Sequence, residues 1–176
     1  MTAASDPAVL LTPLQRADSD VFFDWINDRG LVLFNSGYPP VHRPQHDAWF
    51  DAALRRQDLV LFAIRTLPER ALVGTCQLTD IHPVHRSAEL RIRIGAEQAR
   101  GKGVGTAACR QLIEFGFRDL NLRRIWLQVF ADNEPALRLY GKLGFVEEGR
   151  LREAVYLDGR YQSIILMSLL REERQP

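Results

Sequence analysis

Ala99-Arg100-Gly101-Lys102-Gly103-Val104-Gly105-Thr106 is the stretch on which the reading of this chain turns. Three glycines alternate with other residues, Arg100 and Lys102 stand among them, and an apolar stripe of helical period follows at once through Val104, Ala108, Leu112 and Phe115. Backbone without Cβ atoms can curl so that successive N–H groups point at one anion. The start of the next helix adds unpaired N–H groups and the positive end of its dipole. The pattern describes a site for a phosphate-bearing ligand. A Walker loop would need Ser or Thr after Gly-Lys to hold Mg²⁺, and Lys102 is followed by Gly103. A dinucleotide fingerprint would need a third glycine where Thr106 stands, and would follow the first strand of its unit. Taken alone, the run reads as readily as a glycine-rich turn before an ordinary helix.

The flanking sequence supplies the elements around this loop. Glu89 to Gly95 alternates, with Leu90, Ile92 and Ile94 on one side and Glu89, Arg91 and Arg93 on the other, which predicts a half-buried strand. Further upstream, Val9–Leu14, Leu59–Arg65 and Leu72–Leu78 read as strands. A helix capped by Asp18 or Ser19 ends near Gly30, and a second runs from about Gln45 to Arg56. Phe34 to Pro44, with Gly37 and three prolines, reads as a loop, and so does Ile81 to Ser87. Downstream come a strand at Arg124–Phe130, a helix at Glu134–Leu143 ended by Gly144, and strands at Phe145–Glu148, Ala154–Leu157 and Tyr161–Leu169. Asp158-Gly159 is a hairpin turn signal. The order is mixed α/β, helices early, then an antiparallel meander, then β-α-β-α-β-β.

Composition bounds the function. The chain has 176 residues, one domain's worth, with ordinary hydrophobic (46%) and charged (26%) content. A net charge of +1 gives no field that would favour nucleic acid or an anionic membrane. No apolar run approaches the ~20 residues needed to span a bilayer, and residues 1 to 8 carry no targeting signal. Cys76 and Cys109 are far apart and read as buried apolar residues of a protein in a reducing compartment. The expectation is a cytoplasmic protein with no nucleic-acid or membrane partner.

A second segment runs Asn133-Glu134-Pro135-Ala136-Leu137-Arg138-Leu139-Tyr140-Gly141-Lys142-Leu143-Gly144-Phe145. With the glycine run it resembles the GNAT superfamily of N-acetyltransferases. The first family motif, Gln/Arg-x-x-Gly-x-Gly/Ala, is met by Arg100, Gly103 and Gly105. The second, Asn-x-x-Ala-x-x-Leu-Tyr-x-x-x-Gly-Phe, is met by Asn133, Ala136, Leu139, Tyr140, Gly144 and Phe145. The branch it looks most like holds ribosomal-protein, polyamine and nucleotide-sugar N-acetyltransferases. The resemblance covers residues 88 to 170 and implies one α/β (α+β) domain over 1–176. Its central sheet would be mixed, mostly antiparallel, splayed and six- to seven-stranded, flanked by about four helices. The acceptor side would lie in residues 1 to 87 and the acetyl-CoA core in 88 to 170; a homodimer is within the family's range.

The resemblance also implies roles. Acetyl-CoA is the expected donor, its pyrophosphate held by backbone N–H groups along Arg100, Gly101, Lys102, Gly103, Val104, Gly105 and Thr106. Ile92, Arg93 and Ile94 would pair with the pantetheine arm through backbone atoms, one N–H also holding the thioester oxyanion. Asn133, Ala136 and Lys142 fall at cofactor positions, although Asn133 could equally be a helix cap. Tyr140 is expected to protonate the leaving thiolate, since a phenol of pKa ~10 can serve as the acid without a strong shift. Glu89 matches a position some relatives use as a base for the acceptor ammonium, with a structural carboxylate paired to an arginine as the alternative. His82 and His85 could substitute for it, and otherwise lie at the surface. His42 and His46 have a ligand-like spacing, but Pro44 argues against one helix through both, and no cluster completes a metal site. Acceptor contacts would come from Trp25, Asn27, Asp28, Phe34, Tyr38, His42, Trp49, Tyr156 and Tyr161. Arg91 and Arg93 would favour an anionic acceptor if they face it. The expected reaction is transfer of acetyl to a primary amine of a small molecule or peptide by direct attack in a ternary complex. The alternative is a non-catalytic acyl-CoA-binding sensor or partner module.

Overall fold

The computed structural model describes residues 7–33 and 37–173. In chain order its elements are β1 (Val9–Pro13), α1 (Ser19–Asn27), α2 (Arg29–Val32), α3 (Arg43–Ala53), β2 (Val60–Thr66), β3 (Leu72–His82), β4 (Ser87–Ile94), α4 (Val104–Arg118), β5 (Arg124–Phe130), α5 (Glu134–Lys142), β6 (Val146–Leu157) and β7 (Arg160–Leu170). The seven strands form one sheet in the order β1-β2-β3-β4-β5-β7-β6. Every neighbouring pair is antiparallel except β4 and β5.

Side-chain alternation assigns the two faces of the sheet. Ala88, Leu90, Ile92 and Ile94 of β4 join the main core with Val104, Ala108, Cys109 and Leu112 of α4 and Tyr140 of α5. The opposite face carries Ala63, which sits across from Thr75, which in turn sits across from Arg93. There Ala63 packs with Leu14, Phe22, Phe50 and Trp25, so α1 and α3 cover this side. Arg65 ties the same region together: its Nη2 donates to both Asp18 carboxylate oxygens at 2.7 and 2.8 Å.

Several local expectations shift, each for a physical reason. The first helix stops at Asn27, because Asp28 is extended and its carboxylate caps a further turn by accepting from Leu31 N–H at 3.1 Å. Pro44 lies inside α3, in its first turn, where a missing N–H breaks no helical bond. The two strands expected within 145–157 are one strand, β6, whose register with β7 slips twice, between Glu147 and Gly149 and between Leu151 and Val155. Asp158 and Gly159 do make the turn, with φ of +50° and +84°. A type I′ turn requires positive φ at both central positions.

Candidate functional site

The parallel β4–β5 pairing is short. Ser87, Ala88 and Glu89 sit across from Arg124, Ile125 and Trp126, and there the ladder ends. Beyond the Glu89–Trp126 rung, β4 stays with β3 and β5 stays with β7, so the sheet opens into a wedge. Along Leu90–Ile94 the backbone groups on the wedge side have no strand partner, and such groups seek hydrogen bonds from whatever enters.

The glycine run closes one side of this wedge. Gly101 and Gly103 have φ of +71° and +80°, the left-handed region that other residues enter at a cost. Gly103 is the N-cap of α4, no side chain caps the helix, and the first helical bond is Ala107 N–H to Gly103 C=O at 3.0 Å. The N–H groups of Gly103, Val104, Gly105 and Thr106 precede that bond and are left for a ligand. Val104 itself is buried, so only its backbone is available. Gly105 has a packing reason: a Cβ there would lie 3.2 Å from Leu139 Cδ1, with Ile94 and Ile92 just beyond, so α4 approaches α5 and β4 closely. Arg100, expected as a cation beside the ligand, is exposed and also braces the loop. Its Nε donates to Ile94 C=O at 3.1 Å and its Nη2 to Gly95 C=O at 2.9 Å, stapling the loop to the end of β4. Lys102 and Lys142 are exposed.

Tyr140 enters from α5. The helix is capped by Asn133, whose Oδ1 accepts from Ala136 N–H at 3.2 Å. At the other end Phe145 N–H donates to Tyr140 C=O and Gly144 N–H to Gly141 C=O, a Schellman closure that needs Gly144 at its φ of +88°. That closure brings Phe145 edge-on to the Tyr140 ring, 5.7 Å between centroids, and so fixes the ring. Tyr140 is buried, with Cys109 of α4 beside it, and its hydroxyl has no hydrogen-bond partner among the described residues. Burial, more than the neighbouring thiol, pushes its pKa far above the ordinary phenol value, so it holds its proton. The same burial pushes Cys109 to about 12 and Cys76 well up; both are free, and neither is a thiolate nucleophile at neutral pH.

Glu89 is the last paired residue before the wedge and is only 4% exposed. Its Oε2 accepts from Arg91 Nη2 at 2.7 Å. It projects to the α1/α3 face, while Tyr140 belongs to the α4 core, so the wedge joins two faces of one sheet. His82 and His85 stack on each other, 4.0 Å between centroids, at the far end of β3 and β4. His46 is buried and its Nε2 bonds the Ser19 hydroxyl and carbonyl, so it and His42 do not meet as ligands. Among the described residues no group of three or more His, Cys, Asp or Glu is placed to hold a metal.

The expected acceptor contacts divide. Trp25 packs so closely on β4 that a Cβ at Gly95 would meet its indole at 2.1 Å. Asn27 clips the following loop through Val41 N–H and C=O, and Tyr38 O–H donates to Asn27 C=O. These are structural bonds. Trp49, Tyr156 and Tyr161 are exposed, the two tyrosines edge-to-face at 5.2 Å. Phe34 lies outside the described residues. Sequence reasoning missed an open pocket of about 220 Å³ at the α5 N-cap, lined by Leu33, Phe130, Asp132, Asn133, Pro135, Leu157, Asp158, Arg160 and Gln162. Arg160 pairs with Asp132 at 3.1 Å, and Arg29 pairs with Asp158. The β6–β7 hairpin was legible, but not that it folds back beside α5.

Comparison with known proteins agrees with this architecture. A family model described as an acetyltransferase (GNAT) domain matches residues 8–146. Spermidine N(1)-acetyltransferase of Escherichia coli K12 is 31% identical over 166 residues, 94% of this chain and 88% of that protein. The enzyme of the same name from Vibrio cholerae is 38% identical over 105 residues, 60% of each chain. A crystal structure of spermidine N-acetyltransferase from Vibrio cholerae in complex with CoA and spermine superimposes with a TM-score of 0.88 at 29% identity, covering 94% of this chain and 96% of that one. A dodecameric structure of that enzyme matches as well, with a TM-score of 0.80.

Proposed function

The chain belongs to the GNAT acetyltransferase family and is an acetyl-CoA-dependent N-acetyltransferase, and we propose that it acetylates a primary amine of a small molecule or peptide by direct attack in a ternary complex. The observation that carries this reading is the wedge beyond Glu89–Trp126, bordered by the uncapped start of α4 and by the buried, proton-holding Tyr140. In this reading the free N–H groups at Gly103–Thr106 hold the pyrophosphate, and the open edge at Ile92, Arg93 and Ile94 pairs with the pantetheine arm. The amine nitrogen attacks the thioester carbonyl carbon from the α1/α3 face, a β4 N–H holds the oxyanion, and the C–S bond breaks. Tyr140 protonates the departing thiolate and regains its proton from solvent. Glu89, directly or through water, receives the proton that the amine loses. The absence of a thiolate nucleophile among the buried cysteines favours one direct transfer over an acyl-enzyme.

The test is thiol release from acetyl-CoA across amino sugars, polyamines, aminoglycosides, amino acids and peptides. Turnover with at least one amine is expected. Tight acetyl-CoA binding with no turnover in any would instead favour the non-catalytic module. A narrower outcome concerns the loop. Gly103→Ala places a Cβ 3.1 Å from Pro7 Cδ and asks an L-residue to adopt φ near +80°, which costs about 1–2 kcal/mol. Acetyl-CoA affinity by calorimetry is expected to fall roughly tenfold, with saturated turnover much less affected.

The reading includes self-association, at least to a homodimer. Support comes from β6, an edge strand with Val146, Leu151 and Tyr156 exposed, and from the dodecameric relative. Sedimentation would return a mass above 20.1 kDa. It also includes residence in a reducing, cytoplasmic setting, supported by the two free cysteines. No described helix is long and apolar enough to cross a membrane.

A further inference from the structure

The α1/α3 face of the sheet buries charges of both signs, and they do not balance. Asp18 is held by Arg65 and Glu89 by Arg91. Arg93, on the same face by strand alternation, has no ion pair among the described residues. Its residue is half-buried, and its Nε is shut off from solvent with no hydrogen-bond partner. An unsatisfied guanidinium N–H is costly, and native proteins rarely leave one without a reason. Burial alone lowers the Arg93 pKa, with no carboxylate to offset it, which agrees with the geometry.

The position of Arg93 says what could satisfy it. It lies on the open stretch of β4, past the last rung shared with β5, and on the face opposite the α4 N-terminus. The phosphates of acetyl-CoA are expected at α4, and its uncharged pantetheine arm meets β4 through backbone atoms, so an anionic group that reaches the Arg93 side chain belongs to the other substrate. The segment that would surround that substrate is also poor in negative charge. Arg29, His42, Arg43 and His46 stand there, and of the flanking aspartates Asp28 caps α2 through Leu31 N–H while Asp47 pairs with Arg43. A polyamine, with several ammonium groups, would find little to pair with here.

We propose that Arg93 is an acceptor-specificity residue, its guanidinium binding an anionic group, carboxylate or phosphate, carried by the amine that is acetylated. This rests on the N-acetyltransferase reading above and narrows its acceptor. Guanidinium forks match both oxyanions, and a charge-assisted bond in a partly buried site is worth about 1.5–3 kcal/mol, roughly ten- to hundredfold in affinity.

The experiment uses matched acceptors: glucosamine 6-phosphate against glucosamine for phosphate, amino acids against their amides for carboxylate, and spermidine as the polycation. The wild type is expected to favour the anionic member of one pair by at least about tenfold in kcat/KM, and Arg93→Met to abolish the preference through KM for the amine. Arg93→Lys keeps part of it. Equal use of both members in both pairs, preference for spermidine, or a preference that survives Arg93→Met overturns the proposal. Calorimetric titration of the CoA-loaded protein with the same probes separates this idea from the activity itself. If no amine releases thiol but anion-dependent binding disappears in Arg93→Met, the acetyl-transfer reading falls and the anion site stands. If the wild type binds the anionic probes no better than their neutral partners, the anion site falls.

Discussion

Tyr140→Phe is expected to lower kcat by about 10²–10³-fold while leaving acetyl-CoA affinity within about twofold, an effect in the range of general acid catalysis. The substitution removes one oxygen and nothing else of substance. The ring keeps its edge-on contact with Phe145, and the hydroxyl has no partner among the described residues whose loss could disturb the fold. A purely structural tyrosine would therefore lose little on becoming phenylalanine, and burial of the ring would favour the change. Stopped-flow or steady-state thiol release under saturating acetyl-CoA measures kcat, and calorimetry measures affinity. Equal turnover in the variant would remove Tyr140 as the acid. The pH profile adds a second reading. Burial raises the phenol pKa, so its acid form is retained above the ordinary value of 10. Wild-type turnover should then show no loss attributable to phenol ionisation up to about pH 10.

Leu112→Ala is expected to cost about 3 kcal/mol of stability, within the 2–5 kcal/mol typical of such truncations. Leu112 is fully buried in the main core, on the helix whose N-terminus faces the wedge. Deleting its branched end leaves a cavity between α4 and the sheet that the rigid surroundings fill only in part. Urea unfolding should show a lower midpoint with an unchanged slope. Acetyl-CoA at 100 times its Kd should restore nearly 3 kcal/mol by mass action. Val84→Ala, at a position 80% exposed, should stay within about 0.5 kcal/mol and serves as the control. A loss under 1 kcal/mol for Leu112→Ala would mean that the core around α4 collapses to fill the space.

Much of the acetyl-CoA half was legible because its signals are local. A glycine that must take positive φ, an Asx cap three residues before a helical N–H, and an Asp-Gly turn are all settled within a few residues of chain. Gly103, Asn133, Gly144 and Asp158-Gly159 were readable for that reason. The acceptor half was less so. Its helices are short, and α2 is a single turn capped by the Asp28 carboxylate at Leu31 N–H. Its aromatics give no local sign of whether they pack or bind: Trp25 is pressed against Gly95 while Trp49 stays exposed. Arg100 shows the same limit within the motif itself, since only the folded loop turns its guanidinium onto the carbonyls of Ile94 and Gly95.

The sequence by itself determined the family, the donor and the kind of bond made, because backbone conformation at glycines and caps depends on neighbours in the chain. Tertiary structure decided what depends on contacts between distant segments. It ended the β4–β5 ladder at Glu89–Trp126, set Cys109 beside Tyr140, and matched Asp18 with Arg65 and Glu89 with Arg91 while leaving Arg93 unmatched. Those pairings join residues from separate elements or depend on which face a strand presents. Their energies come from burial and desolvation, which no stretch of sequence carries until the chain has folded around it.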